Sequence, residues 1–215
     1  KKLLAAGNKT KDILNIISKS FLETKQLNDA RFYLNQLLNI EPDNYQVMKD
    51  LGNSYQATGD NNQAKIYYQN AISINPNYAP ALNNLGGIEL KEGNKLEALS
   101  FLIKATKSDP KLAPAWDNLA NAYHQIGKIE EAENSIRKAI KYNPNIHSSH
   151  FLLALILISQ KKLQEAEQSL RNSIELKPDY LQAHLNLGVI LKDQNKLEEA
   201  EIYLRKAIEL NPKLY

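Results

Sequence analysis

Six prolines recur at one interval. Pro42, Pro76, Pro110, Pro144, Pro178 and Pro212 each stand 34 residues after the one before, without a slip, and Pro80 and Pro114 are also 34 apart. A spacing held over five intervals means that one supersecondary unit is copied along the chain, and a period of about 20–50 residues is the mark of stacked repeats. Such a chain grows by stacking and has no single central core. With each proline at position 32, the repeats run 11–44, 45–78, 79–112, 113–146, 147–180 and 181–214, preceded by a segment 1–10.

The aligned copies predict two helices per repeat. Position 20 is alanine in all six: Ala30, Ala64, Ala98, Ala132, Ala166 and Ala200. Position 7 is Ile17, Leu51, Leu85, Leu119, Leu153 and Leu187, and position 8 is small: Ser18, Gly52, Gly86, Ala120, Ala154 and Gly188. Apolar residues at positions 4, 7, 8 and 11 form one helical stripe, and those at 20, 24, 27 and 28 form a second. Between them Gly59, Gly93, Gly127 and Asn195 stand where a left-handed helix end is wanted. The small residues at 8 and 20 let the helices approach closely, and the proline ends the second helix. No strand is predicted.

This pattern resembles the tetratricopeptide repeat. Repeat 45–78 carries its signature as Leu51, Gly52, Tyr55, Ala64, Tyr68, Ala71 and Pro76. Repeat 113–146 carries it as Trp116, Leu119, Ala120, Tyr123, Ala132, Ala139 and Pro144. Repeat 11–44 diverges most, with Leu37 where alanine is usual. Repeat 147–180 also departs, at His150 and Ser173. The resemblance spans 11–214 and implies an all-α, right-handed α-solenoid superhelix of six helix-turn-helix repeats, forming one domain.

Lys1-Lys2-Leu3-Leu4-Ala5-Ala6-Gly7 reads as the tail of a preceding second helix with a glycine stop, or as an extension. Tyr215 is position 1 of a seventh copy, and no polar capping helix follows Pro212. The expectation is either an excised piece of a longer array or a last helix that pairs with another copy.

The family's packing implies that positions 2, 5, 6, 9, 12 and 13 of the first helix face a concave groove. Those positions bring out a polar stretch of Lys49, Asp50, Asn53, Asn83, Asn84, Asp117, Asn118, Asn121 and His124. An asparagine both donates and accepts, so Asn84, Asn118 and Asn186 at position 6 fit the gripping of an extended peptide backbone. Ala81-Leu82-Asn83-Asn84-Leu85-Gly86 looks like the repeats of protein O-linked N-acetylglucosamine transferases, whose asparagines hold substrate peptides. Leu152 interrupts this ladder, and ordinary solvated asparagines are the alternative. Chaperone-binding tetratricopeptide domains clamp a terminal carboxylate; Lys49, Asn53 and Asn84 match that arrangement, but Pro114 and Asn118 replace its two cations.

Repeat 147–180 differs. Its first helix is apolar nearly all round, and Phe151, Leu152, Leu155 and Ile158 stand at groove positions, extended by Leu185 and Val189. Contiguous exposed apolar surface marks a binding site for a peptide, a helix or a second subunit. Cover by neighbouring helices is the alternative.

Composition removes other classes. Lys and Arg total 27 against 24 Asp and Glu, a net charge of +3, which gives no argument for nucleic acid. There is no cysteine, hence no disulfide or thiolate chemistry. The longest apolar run, 151–158, falls far short of the roughly 20 residues that span a bilayer. The Glu130-Glu131-Glu133 and Glu198-Glu199-Glu201 clusters suit helix starts rather than catalysis. His147 and His150 lack a third metal ligand. The expectation is therefore a protein-interaction module that is not an enzyme, needs no cofactor and lies in the cytoplasm. A substrate-recruiting arm of a larger enzyme and a self-assembling scaffold are the alternatives.

Overall fold

A computed structural model describes residues 2–212, with side chains from Lys9 onward. Among these residues there are twelve helices and no strand. The first helices of successive repeats are α1 (Lys2–Glu23), α3 (Tyr45–Ala57), α5 (Ala79–Lys91), α7 (Ala113–Gln125), α9 (His147–Ser159) and α11 (Leu181–Asp193). The second helices are α2 (Leu27–Ile40), α4 (Asn61–Ile74), α6 (Lys95–Ser108), α8 (Ile129–Tyr142), α10 (Leu163–Leu176) and α12 (Leu197–Leu210). This is an all-α solenoid of helix-turn-helix repeats.

Local chemistry sets each boundary. The residue before every ladder proline is a helix C-cap held out of the α region, as the pyrrolidine ring demands. Glu41, Asn75, Asp109, Asn143, Lys177 and Asn211 all have ψ between 80° and 94°. Within each repeat the turn is made at position 15 by a residue of positive φ. Gly59, Gly93, Gly127 and Asn195 take that role as expected, and Lys25 (φ 58°) and Lys161 (φ 60°) take it in the other two repeats. Asn44 and Asp60 cap α3 and α4 by accepting from the Val47 and Gln63 amides. The helix stop expected at Gly7 does not occur, because α1 runs unbroken from Lys2; one glycine inside a helix costs about 1 kcal/mol, too little to end it. Lys1 and Tyr215 lie outside the described residues.

The chain divides into two compact units with the boundary between Asp109 and Pro110. In the first, Leu14, Leu34, Leu37, Val47 and Leu51 form one buried cluster, and Met48, Ala64, Tyr68, Ala71, Ala81, Leu85 and Ile88 form the next. In the second, one cluster runs from Ala120 through Ile136, Leu153, Leu157 and Leu170 to Leu187 and Ala200. Position 8 shows why it is kept small. A Cβ added at Gly52 would meet Tyr68 Cε1 at 2.5 Å, and one at Gly188 would meet Leu204 Cγ at 2.6 Å.

Polar joints differ between the units. At position 21 the first two repeats have cations, and the third has Leu99: Arg31 donates to the Ser54 carbonyl and to Thr58 Oγ1, both at 2.6 Å, and Lys65 pairs with Glu89 and Glu92. The second unit has carboxylates there. Glu133 accepts from Lys162 at 3.0 Å and Glu167 from Lys196 at 2.8 Å. Position 4 carries a ring donor in the second unit. Trp116 Nε1 donates to the Pro110 carbonyl, and His150 and His184 set Nε2 on the carbonyls of Pro144 and Pro178, each at 2.8 Å. These two histidines thus occupy equivalent slots, and His150 spends its Nε2 on the backbone rather than joining His147 toward a metal.

Candidate functional site

In the first unit the expected groove residues come together on α3 and α5. Tyr68, wholly buried on α4, donates its hydroxyl to Asn53 Oδ1 at 2.8 Å and also lies 2.9 Å from Gln56 Oε1. The same Asn53 oxygen accepts from Asn84 Nδ2 at 2.7 Å, and Asn84 Oδ1 accepts from Asn83 Nδ2 at 3.0 Å. Burial pushes the Tyr68 phenol well above its ordinary range, so it acts only as a neutral hydrogen-bonding anchor. The row Asn53–Asn84 is therefore held from the core side. Asn83 departs from expectation: it is only 6% exposed, so it supports the row and does not face solvent.

Beside this row lies an open cavity of about 290 Å³, lined on α1 by Lys11, Asn15 and Lys19 and on α3 by Gln46, Lys49 and Asp50. Lys11 pairs with Glu41, whose carboxyl is held below its usual range by hydrogen bonds from Lys11 and Asn44. Lys49 pairs with its neighbour Asp50. Lys19 has no ion-pair partner among the described residues. Two ion pairs plus a single uncompensated lysine leave the cavity one positive charge in excess. Asn15 and Lys19 went unrecognised in the sequence because repeat 11–44 was the most divergent copy. The signal was present: they occupy positions 5 and 9, as Lys49 and Asn53 do.

The groove positions of the second unit are more fully engaged. Asp117 accepts from Ser149 Oγ at 2.5 Å, and burial raises its carboxyl above the ordinary range despite that bond. Asn118 is half-buried. Asn121 accepts from Gln125 at 3.3 Å. Asn186 turns its amide back to the Gln182 carbonyl of its own helix at 2.7 Å. The position-6 asparagines thus do not repeat one geometry: Asn84 reaches across to the neighbouring repeat, whereas Asn186 does not.

The apolar patch is also more covered than its sequence suggests. Phe151, Leu152, Leu155, Ile158 and Leu185 are half-buried, and only Val189 is open, at 48%. Phe151, Leu152 and Ile158 pack against the core cluster. Tyr180 covers the start of α9, edge-on to Phe151 at 5.1 Å and to His147 at 4.7 Å. Sequence periodicity counts Phe151 as surplus to the core; the linker tyrosine that lies edge-on to it is not visible to it. Among the described residues no helix is long and apolar enough to cross a membrane, and no group of three His, Cys, Asp or Glu is placed to hold a metal.

Comparison with solved structures returns the same architecture. The chain superposes on Pseudomonas aeruginosa PilF with a TM-score of 0.87 at 20% identity, covering 97% of this chain and 95% of that one. A MamA structure gives 0.67 at 24% identity, covering 76% and 95%. YrrB, described as a tetratricopeptide-repeat protein with an unusual peptide-binding site, gives 0.69 at 19% identity, covering 84% and 93%. At these identities the likeness is one of fold. No curated protein matches the sequence. A family profile described as the cilia and flagella-associated protein 70 C-terminal domain matches residues 6–214. The 34-residue frame, the paired helices and that match agree: the chain is a tetratricopeptide-repeat protein and belongs to the family of the cilia and flagella-associated protein 70 C-terminal domain.

Proposed function

We propose that the chain is a protein-interaction module whose first unit takes an extended peptide across α1, α3 and α5. The observation that carries this reading is the open cavity with its uncompensated Lys19, set against the Asn53–Asn84 pair. Asn53 and Asn84 offer amide and carbonyl groups to a peptide backbone at a position fixed by Tyr68. Lys19 and Lys49 favour an acidic side chain or a terminal carboxylate in the cavity, since a charge-assisted bond is about twice as strong as a neutral one. A YrrB structure of the same fold is described as having a peptide-binding site, which fits this use of the architecture. The alternative of a substrate-recruiting arm with a continuous asparagine ladder draws less support, because Asn186 is turned onto its own helix.

The test is selection of a displayed peptide library on the chain, followed by anisotropy titration of the selected peptides. Acidic peptides should be enriched. Lys19→Glu and Asn53→Ala/Asn84→Ala should each weaken them by roughly tenfold or more. Unaltered affinity in both variants removes the reading.

A further inference from the structure

Position 11 of the first helix is a large apolar or aromatic residue in five repeats: Phe21, Tyr55, Tyr123, Leu157 and Leu191. In repeat 79–112 it is Glu89, whose carboxylate is buried, at 2% exposure. Its partners come from two sides. Lys65 on α4 sets Nζ 2.5 Å from Oε1, and Asn94 in the α5–α6 turn donates Nδ2 to Oε2 at 2.7 Å. Burial pushes the carboxyl up, but hydrogen bonds from Lys65 and Asn94 outweigh it and hold the group below its ordinary range. Glu89 is therefore charged, and it ties three elements of the first unit together. The other joints from position 21 reach positions 10, 14 and 16, at Ser54, Thr58, Lys162 and Lys196. Among the described residues Lys65 alone reaches position 11.

This clamp and the asparagine row hold the same helix. Ala81, Leu85 and Ile88 of α5 share a buried cluster with Ala64, Tyr68 and Ala71 of α4, and apolar packing is non-directional. Directional bonds hold α5 at two heights. Asn84, in its second turn, donates to Asn53 of α3 at 2.7 Å. Glu89, in its last turn, holds Lys65 of α4. Five residues of helix separate the two pins, about 7.5 Å along the axis and about 140° around it. Together they fix the height and the rotation of α5; with one released, the helix can turn about the other. A buried ion pair adds little net stability over an apolar pair of like volume, and selecting one arrangement is the use such pairs have where they are kept.

We propose that Glu89 is a positioning residue for the peptide groove: through Lys65 it sets the register of α5 in which Asn84 meets Asn53. It touches no peptide itself. Its consequence for binding rests on the reading of this groove as the peptide site; its effect on Asn84 does not.

The experiment is NMR of the 215-residue chain, reading solvent exchange of the Asn84 Nδ2 protons without peptide, the resonance being assigned from Asn84→Asp. Lys65→Met/Glu89→Leu replaces the ion pair by apolar side chains of like size, leucine being the residue at position 11 in the last two repeats. Its stability to urea should match or exceed that of the parent. Asn84 exchange should nevertheless speed up by about tenfold as its bond opens, and the acidic peptides selected on the parent should bind about tenfold more weakly. Lys65→Arg keeps the pair and should keep exchange slow. Ile88→Val trims the adjacent core, lowers stability and should leave Asn84 exchange unchanged. If the paired variant does not fold, Glu89→Gln, which removes the charge at constant shape, is read the same way. Unchanged exchange without the ion pair, or equal acceleration in Ile88→Val, would overturn the proposal. Faster exchange with no acidic peptide enriched on the parent removes the groove reading instead and leaves the positioning role standing.

Discussion

Replacing Gly52 by alanine tests the close approach of α3 and α4 most directly. Away from any contact, alanine would stabilise the helix by about 1 kcal/mol over glycine. Here the new methyl would lie 2.5 Å from Tyr68 Cε1 and 2.7 Å from Cδ1. The ring is wholly buried and tied by its hydroxyl to Asn53, so it has nowhere to swing. Overpacking of this kind costs about 1–3 kcal/mol, and a displaced hydroxyl loses about 1 kcal/mol of hydrogen bonding. The balance is a net loss of about 2 kcal/mol, or a fall in Tm of about 4–8 °C for a chain of this length. Gly188→Ala provides the contrast. Its methyl would meet Leu204 Cγ at 2.6 Å, but Leu204 is partly open and can rotate away, so the change should be neutral within about 1 kcal/mol. Repeat 147–180 already combines Ala154 with Leu170, both fully buried. Gly52→Ala should therefore couple favourably with Tyr68→Leu, by more than about 1 kcal/mol in a double-mutant cycle. Urea titration and thermal unfolding followed by circular dichroism supply the numbers. A rise in Tm for Gly52→Ala, or strict additivity with Tyr68→Leu, would refute the steric reasoning.

Two further outcomes are expected. Burial pushes the Glu133 carboxyl up, but hydrogen bonds from Lys162 and Arg137 outweigh it and hold the group at about 2, against an ordinary 4.5. A carboxylate with a lowered folded pKa contributes fully above its unfolded value and loses that contribution as pH falls. The second unit, read by the fluorescence of Trp116, should thus lose stability between pH 4.5 and 2. Lys162→Gln should flatten that slope, and an unchanged slope counts against the pairing. At position 15, Lys161 pays for a φ of 60° that glycine adopts freely. Lys161→Gly should stabilise by about 0.5–1 kcal/mol and Gly93→Ala should destabilise by about 1 kcal/mol. Shifts of one sign in both would contradict the assigned backbone.

The proline frame makes the fold legible because the code is local. An X-Pro bond, a tiny residue at 8 and alanine at 20 act through neighbours fixed by sequence distance, so helix order and core positions can be read directly. The groove was read less well, for a physical reason. Whether Asn83, Asn84 and Asn186 face a ligand depends on which amide wins a hydrogen bond, and competing partners a few residues away decide that. Asn84 finds Asn53, Asn186 finds the Gln182 carbonyl, and Asn83 is covered. On α9, Tyr180 from the linker lies edge-on to Phe151 and to His147, a cover that the period of the sequence does not show. Lys25 and Lys161 adopt a glycine conformation because the helices on either side impose it.

The opposite charges at position 21 make the copies unequal heirs of one ancestral unit. Repeat 45–78 set in front of repeat 181–214 would bring Lys65 against Lys196, where Glu167 now receives that lysine. Repeat 147–180 set in front of 79–112 would bring Glu167 against Glu89 and Glu92, which now receive Lys65. Duplication within the second unit preserves sense, since Glu133, Glu167 and Glu201 all stand at position 21; these transpositions between units do not. The order of the repeats is thus written in their charges, and shuffled chains should fail at the joints while every repeat keeps its own two helices.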